Sequence, residues 1–156
     1  MPYASEDSME QTYRMGRSRV QQDMRIDEKP PYGPGVYLFL GAGDRIMYAG
    51  MAHGLEAVLY RYQHLAGRKA MRDRARGSRI HGVVWLECGT RWSPPSLERL
   101  LIERYAPPWN TQHSTGWHNE ETAVVLDAAE ISWIEESARE LDGVVIRLRD
   151  NGPMRD

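Results

Sequence analysis

The 156-residue chain is 41% hydrophobic and 27% charged, carries a formal net charge of -2 and contains a single cysteine. Its length suits one domain with extensions, and its composition is that of an ordinary globular protein. One cysteine excludes an internal disulfide or a thiolate metal cluster, and no apolar run approaches the roughly 20 residues of a membrane span.

The amino terminus, Met1 to Asp7, lacks a basic-then-apolar leader pattern, so a cytoplasmic protein without membrane contact is expected. Residues 1–32 are polar, with five basic and six acidic groups, and end at Lys29-Pro30-Pro31. They are read as a flexible arm closed by a helix-incompatible boundary. The next stretch, residues 33–117, carries eleven basic and six acidic groups, and residues 118–156 carry four and ten. A basic middle is therefore followed by an acidic tail.

Gly35 to Leu40 is a β-rich run, Gly41 to Asp44 supplies turn chemistry, and Arg45 to Ala49 resumes the strand. This spacing predicts a β-hairpin. Each strand sets a tyrosine beside a glycine, in Gly35-Val36-Tyr37 and Tyr48-Ala49-Gly50. Two such tyrosines read either as a cross-strand aromatic contact or as phenols placed for proton transfer. From Gly54 to Ala66, Leu55, Val58, Leu59, Tyr62 and Ala66 keep helical spacing, with Arg61 flanking the stripe and Gly67 as its C-cap.

Arg68, Lys69, Arg72, Arg74, Arg76 and Arg79 follow, with Asp73 alone among them. Such a cluster is the footprint of a phosphate-backbone binder, and equally of a solvated basic face. Ile80 to Glu87 reads as a third strand, with Cys88 as a packed thiol at its end.

Ser93, followed by Pro94 and Pro95, predicts a helix start with a hydroxyl cap, and Pro107-Pro108 predicts its end. On that helix Glu98 shares a face with Leu101, Ile102 and Tyr105. A carboxylate on an apolar stripe either lifts its head into water at the stripe's edge or is compensated by a cation, hydrogen bonds or a raised pKa. Beyond Asn110 the loop carries His113 and His118, which read as exposed loop residues rather than as a metal pair. A strand at Thr122 to Leu126, a helix at Ala128 to Leu141 and a strand at Val144 to Arg149 complete the chain, with Asp142-Gly143 as a break.

These elements predict an α+β fold: a small three-stranded antiparallel sheet flanked by helices in the order β-β-α-α-β-α, with a C-terminal β-α-β extension. The divisions are an arm at 1–32, a domain at 33–112 and an acidic extension at 113–156, which offers a surface for self-association or a partner.

Pro34-Gly35-Val36-Tyr37, Tyr48-Ala49-Gly50, Leu97-Glu98 with Leu101-Ile102, and Pro107-Pro108-Trp109-Asn110 stand at distances that resemble the GIY-YIG endonuclease family. The likeness is strongest to the version at the amino end of the bacterial excision-repair nuclease. It covers roughly residues 33 to 112, and it implies a Mg²⁺-dependent phosphodiesterase acting on DNA, with Mn²⁺ as the alternative metal. By this resemblance Glu98 is the metal ligand, Tyr48 the base for the attacking water and Tyr37 its hydrogen-bonding partner. Asn110 then fixes the turn after the glutamate helix, and Tyr62 contacts phosphate.

Two positions depart from the pattern. The family's arginine falls on Val58 and its frequent lysine on Met51. Both are cations that would neutralise the scissile phosphate, and Arg61 is the residue able to replace the first. Two readings follow. One is an active nuclease gripping DNA through the 68–79 segment; the other is a degenerate member that binds DNA or a protein without cutting.

Overall fold

The computed structural model describes residues 14–21, 23–64, 80–110 and 120–151. The described residues form strands β1 (Arg14–Arg19), β2 (Gly35–Leu40) and β3 (Ile46–Ala52), helix α1 (Leu55–His64), strand β4 (Gly82–Glu87), and helices α2 (Ser93–Tyr105) and α3 (Ala128–Asn151). The fold is α+β, with a small antiparallel sheet flanked by helices, as the apolar patterning predicts. The strand order is β1-β4-β2-β3.

The sheet has four strands rather than three. Residues 14–19, expected within a polar arm, pair with β4 from Arg14↔Glu87 to Arg19↔Gly82. Their sequence, Arg-Met-Gly-Arg-Ser-Arg, lacks the β-branched and aromatic residues that mark strands. Its pairing rests on backbone bonds and on Gly16, where an added Cβ would lie 2.3 Å from the Trp85 indole nitrogen. The ring of Trp85 crosses β1 at that bare backbone position.

β2 is buried along its whole length, which accounts for its unbroken apolar run. Its odd residues, Tyr37 and Phe39, face α1 together with Leu55, Leu59, Tyr62, Val83 and Trp85. Its even residues, Val36, Leu38 and Leu40, face α2 and α3 through Leu97, Leu101, Ile102, Ile134 and Ala138. One period-two strand thus builds both halves of the core. In the hairpin the register steps from Phe39↔Tyr48 to Leu40↔Ile46, leaving Met47 as a bulge. Gly43 (φ 68°) and Asp44 (φ 62°) make the turn in left-handed backbone conformation.

Helix α2 carries prolines in its first turn, as expected, but Ser93 is its first residue and not its cap. Thr90 takes that place in part: its hydroxyl accepts the Trp92 N–H at 3.2 Å and lies 3.3 Å from the Ser93 hydroxyl. The helix ends at Ala106 in left-handed conformation (φ 44°), whose N–H reaches the Ile102 carbonyl at 2.9 Å.

The C-terminal extension is not β-α-β. Val124 and Leu126 bond the Ile46 N–H and the Asp44 carbonyl at the start of β3, but α3 then runs unbroken to Asn151. The strand expected at Val144 to Arg149 is helix. Gly143 costs a helix interior only about 1 kcal/mol, and Asp142 has a tertiary partner in place of a turn. Its carboxylate, on a buried residue, accepts the Gly89 N–H at 3.2 Å and the Thr90 hydroxyl at 3.3 Å. No helix among the described residues is long and apolar enough to cross a membrane.

Candidate active site

The hairpin glycine and tyrosine positions are explained by packing. Tyr37 stands opposite Gly50, where an added Cβ would come within 2.4 Å of the phenol Cζ and oxygen. The Tyr37 ring lies across β3 because Gly50 has no side chain. Its hydroxyl then meets the Tyr62 hydroxyl of α1 at 3.1 Å, within the core. Around this bond the ring centroids are 5.9 Å apart for Tyr37 and Tyr62, 6.3 Å for Tyr37 and Tyr48, and 5.0 Å for Phe39 and Tyr62. Most are tilted or edge-on, the arrangements aromatic quadrupoles favour. The structure therefore brings Tyr37, Tyr48 and Tyr62 into one cluster.

Their exposures separate their chemistry. Tyr37 and Tyr62 are 2% and 1% exposed, whereas Tyr48 is half-buried. Of the three tyrosines, Tyr48 is the least buried. Tyr62, read as a phosphate contact, stands behind Tyr37 as its hydrogen-bonding neighbour.

Asn110 joins this cluster from 61 positions along the chain. Its Oδ1 accepts the Ala49 N–H at 2.8 Å and its Nδ2 donates to the Ala49 carbonyl at 2.8 Å. Beside it the Trp109 N–H reaches the Met47 carbonyl at 3.1 Å, and the Trp109 indole donates to Glu120 at 2.9 Å. The loop after α2 thus lies along the outer rim of β3 and holds the residues on both sides of Tyr48. The expected role of Asn110 in the turn extends to this bridge, which residue spacing alone could not reveal.

Glu98 lies on the buried stripe of α2 with Leu97, Leu101, Ile102 and Tyr105, and is 9% exposed. As a residue Glu98 is largely covered on the apolar stripe. Helix α2 packs against β2 and β3 on the face opposite α1, so Glu98 and the tyrosines approach the sheet from its two sides. Among the described residues no group of three or more His, Cys, Asp or Glu side chains gathers as a metal cage. A single hard carboxylate suits a cation that keeps most of its waters, which is the habit of Mg²⁺.

The departures from the family pattern have plain structural counterparts. Val58 is partly buried against the α1 core and Met51 packs on the α2 side, so both positions are apolar contacts. Arg61 is exposed on α1. Arg68, Lys69, Arg72, Arg74, Arg76 and Arg79, like His113 and His118, lie outside the described residues. Cys88 is buried, and burial, then Asp142 and Glu87, push its thiol up to about 12, as befits a packed group. Burial and a hydrogen bond to Glu130 raise the Tyr105 phenol as well.

No family model matches the chain, and no solved structure matches it. Over 83 residues, 53% of its length, the chain is 31% identical to the UvrABC system protein C of Corynebacterium jeikeium (strain K411). The matched stretch is 12% of that protein, and over it the similarity supports a relationship between the two.

Proposed function

We propose that this chain is a GIY-YIG-type endonuclease that hydrolyses DNA phosphodiester bonds with Mg²⁺, or Mn²⁺ in its place, in nucleic-acid repair or a related process. The observation that carries the reading is the double bond from Asn110 to Ala49, which ties the loop ending the Glu98 helix to the strand bearing Tyr48. The partial likeness to UvrABC system protein C supports it.

In this reading Tyr48, ionised to its phenolate, accepts a proton from the attacking water and becomes the neutral phenol; it is the least buried tyrosine of the cluster. Tyr37 and Tyr62 hold the ring packing behind it, and Asn110 fixes the backbone beneath it. Glu98 is the residue that would hold the metal, which when bound would supply Lewis-acid stabilisation of charge on the phosphoryl oxygens. Arg61 supplies a cation to the phosphate from the outer side of α1, and the 68–79 segment grips the backbone.

Plasmid nicking at low salt tests this. Cleavage is expected with Mg²⁺ and the parent chain, and is expected to vanish both with chelator and in a folded Glu98→Ala variant. Cutting by Glu98→Ala at the parent rate would exclude the assignment. Val58 and Met51 favour a second reading, a DNA-binding domain that no longer cuts, since both lost cations are replaced by packed apolar side chains. Retained salt-sensitive binding without nicking of plasmid, branched or single-stranded DNA would select it.

A further inference from the structure

The outer side of α1 presents aromatic rings to solvent. Among the described residues Tyr32 is 73% exposed and Tyr60 is 54% exposed, well beyond what packing requires of either. The loop carrying Tyr32 is seated on the start of α1: the Glu56 N–H reaches the Pro31 carbonyl at 2.9 Å and the Leu55 N–H reaches the Gly33 carbonyl at 3.0 Å. Lys29 fixes the ring. Its ammonium donates to the Tyr32 hydroxyl at 3.0 Å, lies 4.9 Å from the Tyr32 ring centroid and stands 3.7 Å from Glu56 Oε2. Tyr60 follows Glu56 by one helical turn and so shares its side of the helix. Arg61, also exposed, adjoins it.

From this arrangement we infer that the Tyr32 loop and the outer side of α1 form a track on which unpaired bases of a nucleic-acid strand stack, with Arg61 taking a backbone phosphate. Tyr32 and Tyr60 offer π-faces that any base can cover, which gives affinity without sequence preference. Lys29 offsets the nearby Glu56 carboxylate, the one acid in the line, and its own ammonium is held protonated chiefly by the Tyr32 hydroxyl and then by Glu56. The leucines of α1, Leu55 and Leu59, are fully buried and Val58 is partly buried, so with the Tyr32 loop the outward side offers two rings, Tyr32 and Tyr60, the Arg61 cation and little aliphatic surface beyond Ala57, a pairing that suits nucleotides. The inner side of the same helix carries Tyr62, bonded to Tyr37. The track and the buried tyrosine pair are thus two sides of one helix, and the ligand the track takes is a DNA strand with an unpaired segment.

This inference rests on the DNA-binding part of the proposed function, and one experiment separates the two. Anisotropy is measured with the full chain in chelator, where no cutting occurs, on a labelled 12-nucleotide single strand, an abasic strand of equal length and a blunt duplex. The parent is expected to prefer the strand with bases. Tyr32→Ala and Tyr60→Ala, each checked for native circular dichroism, are expected to weaken that binding about five- to thirtyfold. Affinity for the abasic strand should change less than twofold, and Tyr32→Phe and Tyr60→Phe should restore the parent value. Alanine variants that bind like the parent, or that lose the abasic strand equally, would overturn the inference. Salt-sensitive duplex binding with no preference for bases would overturn it alone, whereas no salt-sensitive binding to any of the three would remove the proposed function with it.

Discussion

Both ends of the Asn110 amide are engaged by one backbone residue, and both groups of Ala49 are buried. Asn110→Ala would leave a donor and an acceptor without partners, at about 1–3 kcal/mol each, so a loss of about 2–5 kcal/mol in urea unfolding is expected. Asn110→Asp keeps the acceptor but not the donor and should fall between. Gly50→Ala should act on the site itself: its Cβ would displace the Tyr37 ring and break the bond to Tyr62, at an overpacking cost of about 1–3 kcal/mol. Nicking by that variant should fall much further than its stability. At Cys88 the folded chain keeps the thiol proton to about 12, against an ordinary value of 9.0. The unfolded chain then binds fewer protons above pH 9, so stability falls as pH rises, by about 1.4 kcal/mol per unit for this group. Unfolding midpoints from pH 8 to 10.5 should decline, and less steeply in Cys88→Ala. The residues of the candidate site were legible as types and spacings, and the structure sets Tyr48 on the α1 side of the sheet and Glu98 on the helix of the other side. That Tyr62 is a buried partner of Tyr37 was not legible, because helical spacing locates a face without saying how deeply it is covered.

β1 illustrates how an element can hide. β2, β4, α1 and α2 announce themselves through apolar runs or helical stripes, but β1 contributes backbone bonds, a glycine under Trp85 and three exposed arginines. Deleting residues 1–19 should expose the rim of β4 and the Trp85 ring, lowering the thermal midpoint by 10 °C or more, on the order of 2–4 kcal/mol for a domain of this size. An unchanged midpoint would show that the sheet is complete without it. The long α3 was half legible, since Ile131, Ile134 and Ala138 mark its start while Asp142-Gly143 reads as a stop. What overrides that local signal is distant in sequence: Asp142 binds Gly89 and Thr90, across from the start of α2. Asp142→Ala should therefore cost about 1–3 kcal/mol by leaving the Gly89 N–H unpaired.

At the scale of the whole molecule, charge and partial coverage frame what the chain does. If the proposed DNA binding uses the basic surplus of residues 33–117, it should weaken steeply with salt, with a log–log slope of about -3 to -5 for four or five phosphates contacted. A slope near zero on a duplex would remove the backbone contact from the proposal. The likeness to UvrABC system protein C spans an eighth of that protein, so the activity of the whole of that protein is not carried over to this chain. The bridge between Asn110 and Ala49 closes a loop of 61 positions, and contacts of such separation form only after their chain entropy has been lost. The strand bearing Tyr48 is thus held by a contact distant in sequence, and a brief lifting of residues 106–110, which would also withdraw Trp109 from the core, is expected to loosen it. Amide exchange at Ala49 that is faster than at Leu38, its paired neighbour, would register that opening as a clock on how often the site is assembled.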